Sequence, residues 1–144
     1  MPRHVLVPID GSPQSMHALR FAAGEWGDAS VTLLHVINPV QAGYSAGVLP
    51  TDSEDWYQEA KAEAEATLDD GRDLFSAERA GDGSVETAVE VGRPAATIVE
   101  QADERDADHV VVGSHGRRGV SRLLLGSVAE HVARRSPVPV TIVR

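Results

Sequence analysis

Apolar runs of strand length alternate along the chain with longer segments whose apolar positions recur at helical spacing. His4 to Ile9 is the first run. Ser12-Pro13 follows and supplies an N-cap and a proline at the first helical position. Met16, Leu19, Ala23 and Trp26 then recur at helical intervals and predict a buried stripe. Gly27-Asp28 ends that helix, and Val31 to Ile37 predicts a second strand. Residues 38–53 hold Pro39, Gly43, Gly47 and Pro50, the mark of a long loop that serves as a lid or a mobile segment. Glu54 to about Arg79 predicts a long acidic helix with Tyr57, Ala60, Ala64, Leu68, Gly71 and Phe75 inward. Its Glu59, Glu63 and Glu65 side reads as a solvated face. Ser84 to Val91 alternates, with Val85, Thr87, Val89 and Val91 on one side. Gly92-Arg93-Pro94 opens a third helix with Ala95, Ile98, Val99 and Ala102 inward. Val110-Val111-Val112, preceded by Asp108, is the unbroken apolar run expected of a central parallel strand covered on both faces. A glycine-rich loop, a helix from about Ser127 and a last strand from Val138 to Val143 complete the pattern.

The order βαβαβαβαβ predicts one α/β domain over residues 1–144. It is a five-stranded, mostly parallel, doubly wound sheet with four helices. Ligands of such sheets bind beyond the carboxyl ends of the strands, where the strand order reverses.

Composition narrows the chemistry. The chain has no cysteine, which excludes disulfides, thiolate metal sites and cysteine nucleophiles. No stretch is long and apolar enough for a bilayer, and the first run is too quickly polar for a signal peptide. A cytoplasmic protein without a membrane partner is expected. Its 22 acidic residues against 13 basic give a net charge of −9, a surface that repels nucleic acid. Lys61 is the only lysine among the basic residues. An acidic, lysine-poor surface fits either a halophilic adaptation or the arginine preference of a high-GC genome, which thermal melts in molar KCl would separate.

The candidate chemistry lies in residues 113–127, Gly113-Ser114-His115-Gly116-Arg117-Arg118-Gly119-Val120-Ser121-Arg122-Leu123-Leu124-Leu125-Gly126-Ser127. Gly113 and Gly116 frame a turn in which backbone N–H groups can approach an oxyanion without an intervening Cβ. Ser127-Val128-Ala129-Glu130 is a capping-box sequence, so a helix N-terminus, a ready anion site, is expected at Ser127. Leu125, Val128, Ala129, Val132 and Ala133 are expected to dock that helix on the sheet. The alternative is a glycine turn and a capped helix that merely connect two strands. The P-loop spacing and a G-x-G-x-x-G after the first strand are both absent. Asp10 ends the first strand, where it could meet ribose hydroxyls or Mg²⁺, or simply form an Asx turn before Gly11. Arg117, Arg118 and Arg122 either draw phosphate or are solvated charges. His115 reads as an exposed loop residue, and His4, His17, His35, His109 and His131 lack metal-ligand spacing.

These residues resemble the universal stress proteins of the UspA type along the whole chain. The resemblance rests on Val7-Pro8-Ile9-Asp10-Gly11-Ser12, Leu33-Leu34-His35-Val36 and Gly92-Arg93-Pro94. Asp108 before the valine run, the G-x-x-G-x9-G-[ST] loop and Pro137-Val138-Pro139-Val140 complete it. It implies the ATP-binding branch of that family and a Rossmann-like, adenine nucleotide α-hydrolase-like fold. By that likeness Gly116, Gly126, Ser127 and Val128 contact phosphates, Asp10 and Gly113 lie near the ribose, and the Val36 backbone faces the adenine. Pro8, Ile9, Val112 and Arg117 complete the implied site. The implied ligand is ATP (or AMP or ADP) with Mg²⁺, Asp10 being the candidate contact to the metal. A homodimer through the C-terminal strands is also implied. The function expected is a nucleotide-binding regulatory module of stress response. Alternatives are a slow ATPase or adenylating enzyme of the related α-hydrolase group, and a nucleotide-free structural dimer. No positioned base or lysine for phosphoryl transfer is visible, so no catalytic residue is assigned.

Overall fold

The computed structural model describes residues 2–42, 53–114 and 125–144. Strands β1 (His4–Pro8), β2 (Ser30–Ile37), β3 (Val85–Val91), β4 (His109–Gly113) and β5 (Val140–Val143) form one sheet of order β3-β2-β1-β4-β5. Every neighbouring pair is parallel. Between the strands run helices α1 (Pro13–Glu25), α2 (Ser53–Glu78), α3 (Pro94–Glu104) and α4 (Ser127–Arg135), and a 3-10 turn spans Pro39–Ala42. The last strand is shorter than its apolar alternation predicts, although the Pro139 carbonyl still accepts from the Val110 N–H at 3.0 Å. No helix among the described residues is long and apolar enough to cross a membrane.

β1 lies at the centre, with Val5, Leu6 and Val7 all at 0% exposure. Its period-two alternation divides the core into two layers. Val5, Val7 and Ile9 pack with Leu19, Leu68, Phe75 and Val111 under α1 and α2. Leu6 packs with Leu34, Ile98, Val110, Ala129 and Val132 under α3 and α4. The chain winds from β1 outward through β2 to β3, then returns to build β4 and β5 on the other side. The strand order therefore reverses between β1 and β4.

The helical stripes are rotated from those predicted. α1 buries Ser15, Ala18, Leu19, Ala22 and Ala23, leaving Met16 and Trp26 half-buried at its flanks. Small side chains face the sheet because they let the helix sit close to it. In α3 the inward residues are Thr97, Ile98, Gln101 and Ala102. Ala95 and Val99 are only half-buried. Gln101 is held by the Glu90 and Glu104 carboxylates at 3.0 and 3.1 Å and accepts from Arg105 Nε, so its burial is satisfied. On β3, Val91 is exposed rather than packed with its alternating set.

At the amino edge of the sheet, Asp108 Oδ2 accepts from the N–H groups of Arg3 and His4 at 2.8 and 2.9 Å. These two bonds hold the Asp108 carboxyl below its ordinary value. Two connections also dock backbone to backbone here. The Ala80 N–H donates to the Ala23 carbonyl at 3.0 Å, and the Gly83 N–H to the Gly27 carbonyl at 2.7 Å. A Cβ on Gly27 would lie 2.5 Å from the Ala80 nitrogen, so the close approach requires glycine.

His109 shares a 2.6 Å hydrogen bond between its Nε2 and Thr141 Oγ1, and its ring centroid lies 4.6 Å from that of Trp26. Burial pushes its pKa below the ordinary 6.5. The unfolded chain therefore takes up this proton at higher pH than the folded one. The stability is complete above about pH 6.5 and is lost as pH falls through the folded value. The melting temperature should fall as the pH drops below about 6.5, and the fall should shrink in His109→Gln. Thermal melts of both proteins across that range check this; an equal slope in both would remove His109 as the cause.

Candidate functional site

A cavity of about 720 Å³ opens at the carboxyl edge of the sheet, over the reversal between β1 and β4. Pro8, Ile9 and Asp10 bring the end of β1 to it, and Val36 the end of β2. Val112, Gly113 and Ser114 come from β4, and Gly126, Ser127 and Val128 from the start of α4. Nine of the residues expected at the site thus line one cavity: Pro8, Ile9, Asp10, Val36, Val112, Gly113, Gly126, Ser127 and Val128. Gly116 and Arg117 lie outside the described residues, as do His115, Arg118, Arg122 and the segment 43–52.

The β1 corner is built by local hydrogen bonds. Asp10 Oδ1 accepts from the Ser12 N–H at 2.9 Å, the Asx turn that was one of its two readings. Gly11 takes φ +83, a conformation that suits glycine. Ser12 caps α1, its Oγ accepting from the Ser15 N–H at 3.2 Å. Ser15 Oγ donates back to the Ser12 carbonyl at 3.0 Å and accepts from the Asp10 N–H at 3.3 Å. His35 Nδ1 lies 2.9 Å from the Ile9 carbonyl, joining the β2 end to the same corner. The turn therefore fixes Asp10 at the cavity wall.

The β4 corner differs from expectation in two ways. A Cβ on Gly113 would meet the Gln14 carbonyl oxygen at 2.7 Å, so this glycine is required by the approach of α1 to the strand end. The helix starts at Ser127 as expected, and the second difference is its cap. Gly126, not Ser127, is the N-cap, with φ −65 and ψ 155, and it has no side chain to cap with. The Gly126 N–H donates to the Ser114 carbonyl at 2.6 Å, which holds Gly126 at the cap position in place of Ser127. The Ser114 N–H in turn donates to the Val143 carbonyl at 2.9 Å. The first intrahelical bond of α4 runs from the Glu130 N–H to the Gly126 carbonyl. The N–H groups of Ser127, Val128 and Ala129 precede it and have no carbonyl partner within the helix. All three residues line the cavity. Only Ala129 and Val132 of the expected apolar set are buried; Val128 is 38% exposed, Ala133 is exposed and Leu125 is half-buried.

The helix dipole adds positive potential at the start of α4. Its last turn carries Arg134 and Arg135, with Arg134 Nη2 on Glu130 Oε1 at 2.9 Å. These charges suit the negative end of the helix. Chemically the corner is an array of backbone donors of the kind that suits an anion.

The sequence reading missed the wall given by α2. Trp56, Ala60, Glu63 and Thr67 line the cavity. Their spacing is itself helical, so a second stripe beside the core stripe was present as a signal. Glu59, Glu63 and Glu65 are exposed as expected, and Glu63 also edges the cavity.

The sheet topology and the cavity over its reversal define the class, a doubly wound Rossmann-like α/β protein. Residues 1–144 match the universal stress protein family, and the chain belongs to that family. It is 39% identical over 148 residues to a universal stress protein of Mycolicibacterium smegmatis, covering 97% of this chain and 45% of that protein. It therefore spans less than half the length of that relative. It is 31% identical over 145 residues to a putative universal stress protein of Staphylococcus aureus strain USA300, covering 99% and 84%. Among solved structures it resembles the universal stress protein UspA from Lactobacillus plantarum, at TM-score 0.80 and 26% identity over 98% of this chain and 97% of that one. A universal stress protein in complex with cAMP gives TM-score 0.70 and 30% identity over 99% and 97%. The Archaeoglobus fulgidus universal stress protein in complex with dAMP gives 0.67 and 26% over 97% and 96%.

Proposed function

We propose that this chain binds an adenine nucleotide, ATP above all, in the cavity at the carboxyl edge of its sheet. It then acts as a regulatory binding module in stress response. The observation that carries the reading is the meeting of the α4 donors with the ends of β1, β2 and β4 in one space. About 720 Å³ falls within the range of small-molecule sites. Two relatives of 30% and 26% identity hold adenine nucleotides, cAMP and dAMP. Phosphates fit the N–H groups of Ser127 and Val128 and, by family likeness, Gly116. The Gly126 N–H is spent on Ser114 and contributes position rather than a bond. Asp10 at the β1 end suits a ribose hydroxyl or the Mg²⁺ of a metal–nucleotide complex, which would offset phosphate charge.

Mass spectrometry of whatever nucleotide leaves the denatured protein tests the reading directly. Its refutation is a protein that carries none and takes up none in calorimetry. Mg·ATP should bind about tenfold tighter than AMP, the value of one additional charge-assisted hydrogen bond. Equal affinities would restrict the site to a single phosphate.

The reading extends to a homodimer through the C-terminal strand. β5 is a sheet edge, and all four of its residues are half-buried in the single chain. An apolar edge is an available pairing surface. Light scattering at micromolar concentration should report twice the 15.3 kDa chain mass. A species of the single-chain mass alone would overturn the dimer.

A further inference from the structure

Helix α2 is longer than the sheet it covers. Its 26 residues span about 39 Å at about 1.5 Å per residue. The 8 residues of β2 span about 26 Å at about 3.3 Å each. The far end of α2 is pinned at the amino edge of the sheet, where Ala80 and Gly83 bond Ala23 and Gly27. The excess must therefore project past the carboxyl edge. Gly71 lies over the end of β1 and the middle of β2: a Cβ there would lie 2.6 Å from Ile9 Cδ1 and 3.3 Å from Leu33 Cδ1. The turns before Gly71 flank β3 on one side, where Tyr57 and Lys61 lie near Thr87 and Val89, and the cavity on the other. They carry two stripes, one with Ala64 and Leu68 buried in the core, the other with Trp56, Glu63 and Thr67 on the cavity wall.

The two sides of the cavity differ in charge. The α4 side offers backbone N–H groups that precede the first helical bond, at the positive end of a helix. The α2 side offers the Glu63 carboxylate and the indole of Trp56. Asp10, at the β1 end, is the other carboxylate in the wall among the described residues, and His35 Nδ1 lies on the neighbouring Ile9 carbonyl. A phosphate chain is repelled by Glu63 and attracted to α4, so a nucleotide has one favourable orientation. Its uncharged end points toward α2.

We infer that the α2 overhang is the base-reading wall of this site, with Trp56 as a stacking platform for the purine and Glu63 as the charge that sets ligand polarity. The inference rests on the nucleotide reading of the cavity and names the residues that hold the end of the ligand opposite the phosphates. An indole face accepts any base by stacking, and such contacts are worth about tenfold or more in affinity by alanine substitution.

The chain has two tryptophans, so Trp26→Phe leaves Trp56 as the sole indole reporter. Trp26 packs on His109 at the opposite edge of the sheet and is no part of the cavity wall. ATP added to this variant should quench Trp56 fluorescence. In calorimetry, Trp56→Ala should weaken ATP about tenfold and leave inorganic tripolyphosphate, which has no base, unchanged. An unchanged ATP affinity, or equal losses for ATP and tripolyphosphate, would overturn the base-reading role while leaving nucleotide binding standing. A parent protein that binds neither ligand would overturn the nucleotide reading and this inference with it.

Discussion

Gly126→Asp should lower ATP affinity by about a hundredfold, or about 2.7 kcal/mol, while the protein stays folded. Gly126 occupies the N-cap of α4 with φ −65 and ψ 155, a backbone conformation open to any residue. Aspartate is a favoured N-cap, so the helix should lose nothing and gain a few tenths of a kcal/mol. The gain and the loss have one cause. A capping carboxylate accepts from the second or third N–H of the helix, here Val128 or Ala129, and Val128 is one of the donors assigned to phosphate. It also sets a negative charge where phosphate charge would enter, and like charges in a partly desolvated cleft repel strongly. Calorimetry with ATP reads the loss, and circular dichroism confirms the fold. If Gly126→Asp keeps the parent affinity, phosphate binds elsewhere and the loop only connects β4 to α4.

Phe75→Ala should be the most costly of the simple core truncations, at about 3–5 kcal/mol. Phe75 is the largest fully buried side chain among the described residues and lies in α2 against the β1–β2 face. Its removal leaves a cavity in the layer that ties the long helix to the sheet. At this chain length that loss lowers the melting temperature by about 10 °C or more. A shift of only a few degrees would mean that α1 and α2 close over the void.

The strands were legible because their chemistry is redundant. Val110-Val111-Val112 and Val5-Leu6-Val7 are apolar on both faces, and both became inner strands. Ser12-Pro13 announced α1 because cap and proline agree. Helix faces were less legible. Met16 and Trp26 outweigh Ser15 and Ala18 in hydrophobicity, yet close packing on a sheet favours the small side chains. Ser127 marked the start of α4, but Ser127-x-x-Glu130 imitates a capping box, and the cap position falls to Gly126, which is bonded to Ser114. Glu63 is exposed as its surroundings suggested, but its place at the cavity depends on how α2 docks on the sheet. For the candidate site, the residues at strand ends could be placed from topology alone, whereas the α2 wall required the helix to be docked first.

The bond between the Gly126 N–H and the Ser114 carbonyl, 2.6 Å long, has an evolutionary consequence. It closes a neck: the chain departs from the sheet at Ser114 and rejoins it at Gly126, and the two ends are fastened to each other. Ser114 is anchored independently to Val143. The frame itself therefore holds Ser114 and Gly126 at a fixed separation. Doubling the length of the segment between them costs roughly 0.6 kcal/mol in closure entropy, far less than one misplaced core residue. The frame can then tolerate exchange of that segment as a cassette, so that descendants of one ancestor can diverge in ligand without refolding their core.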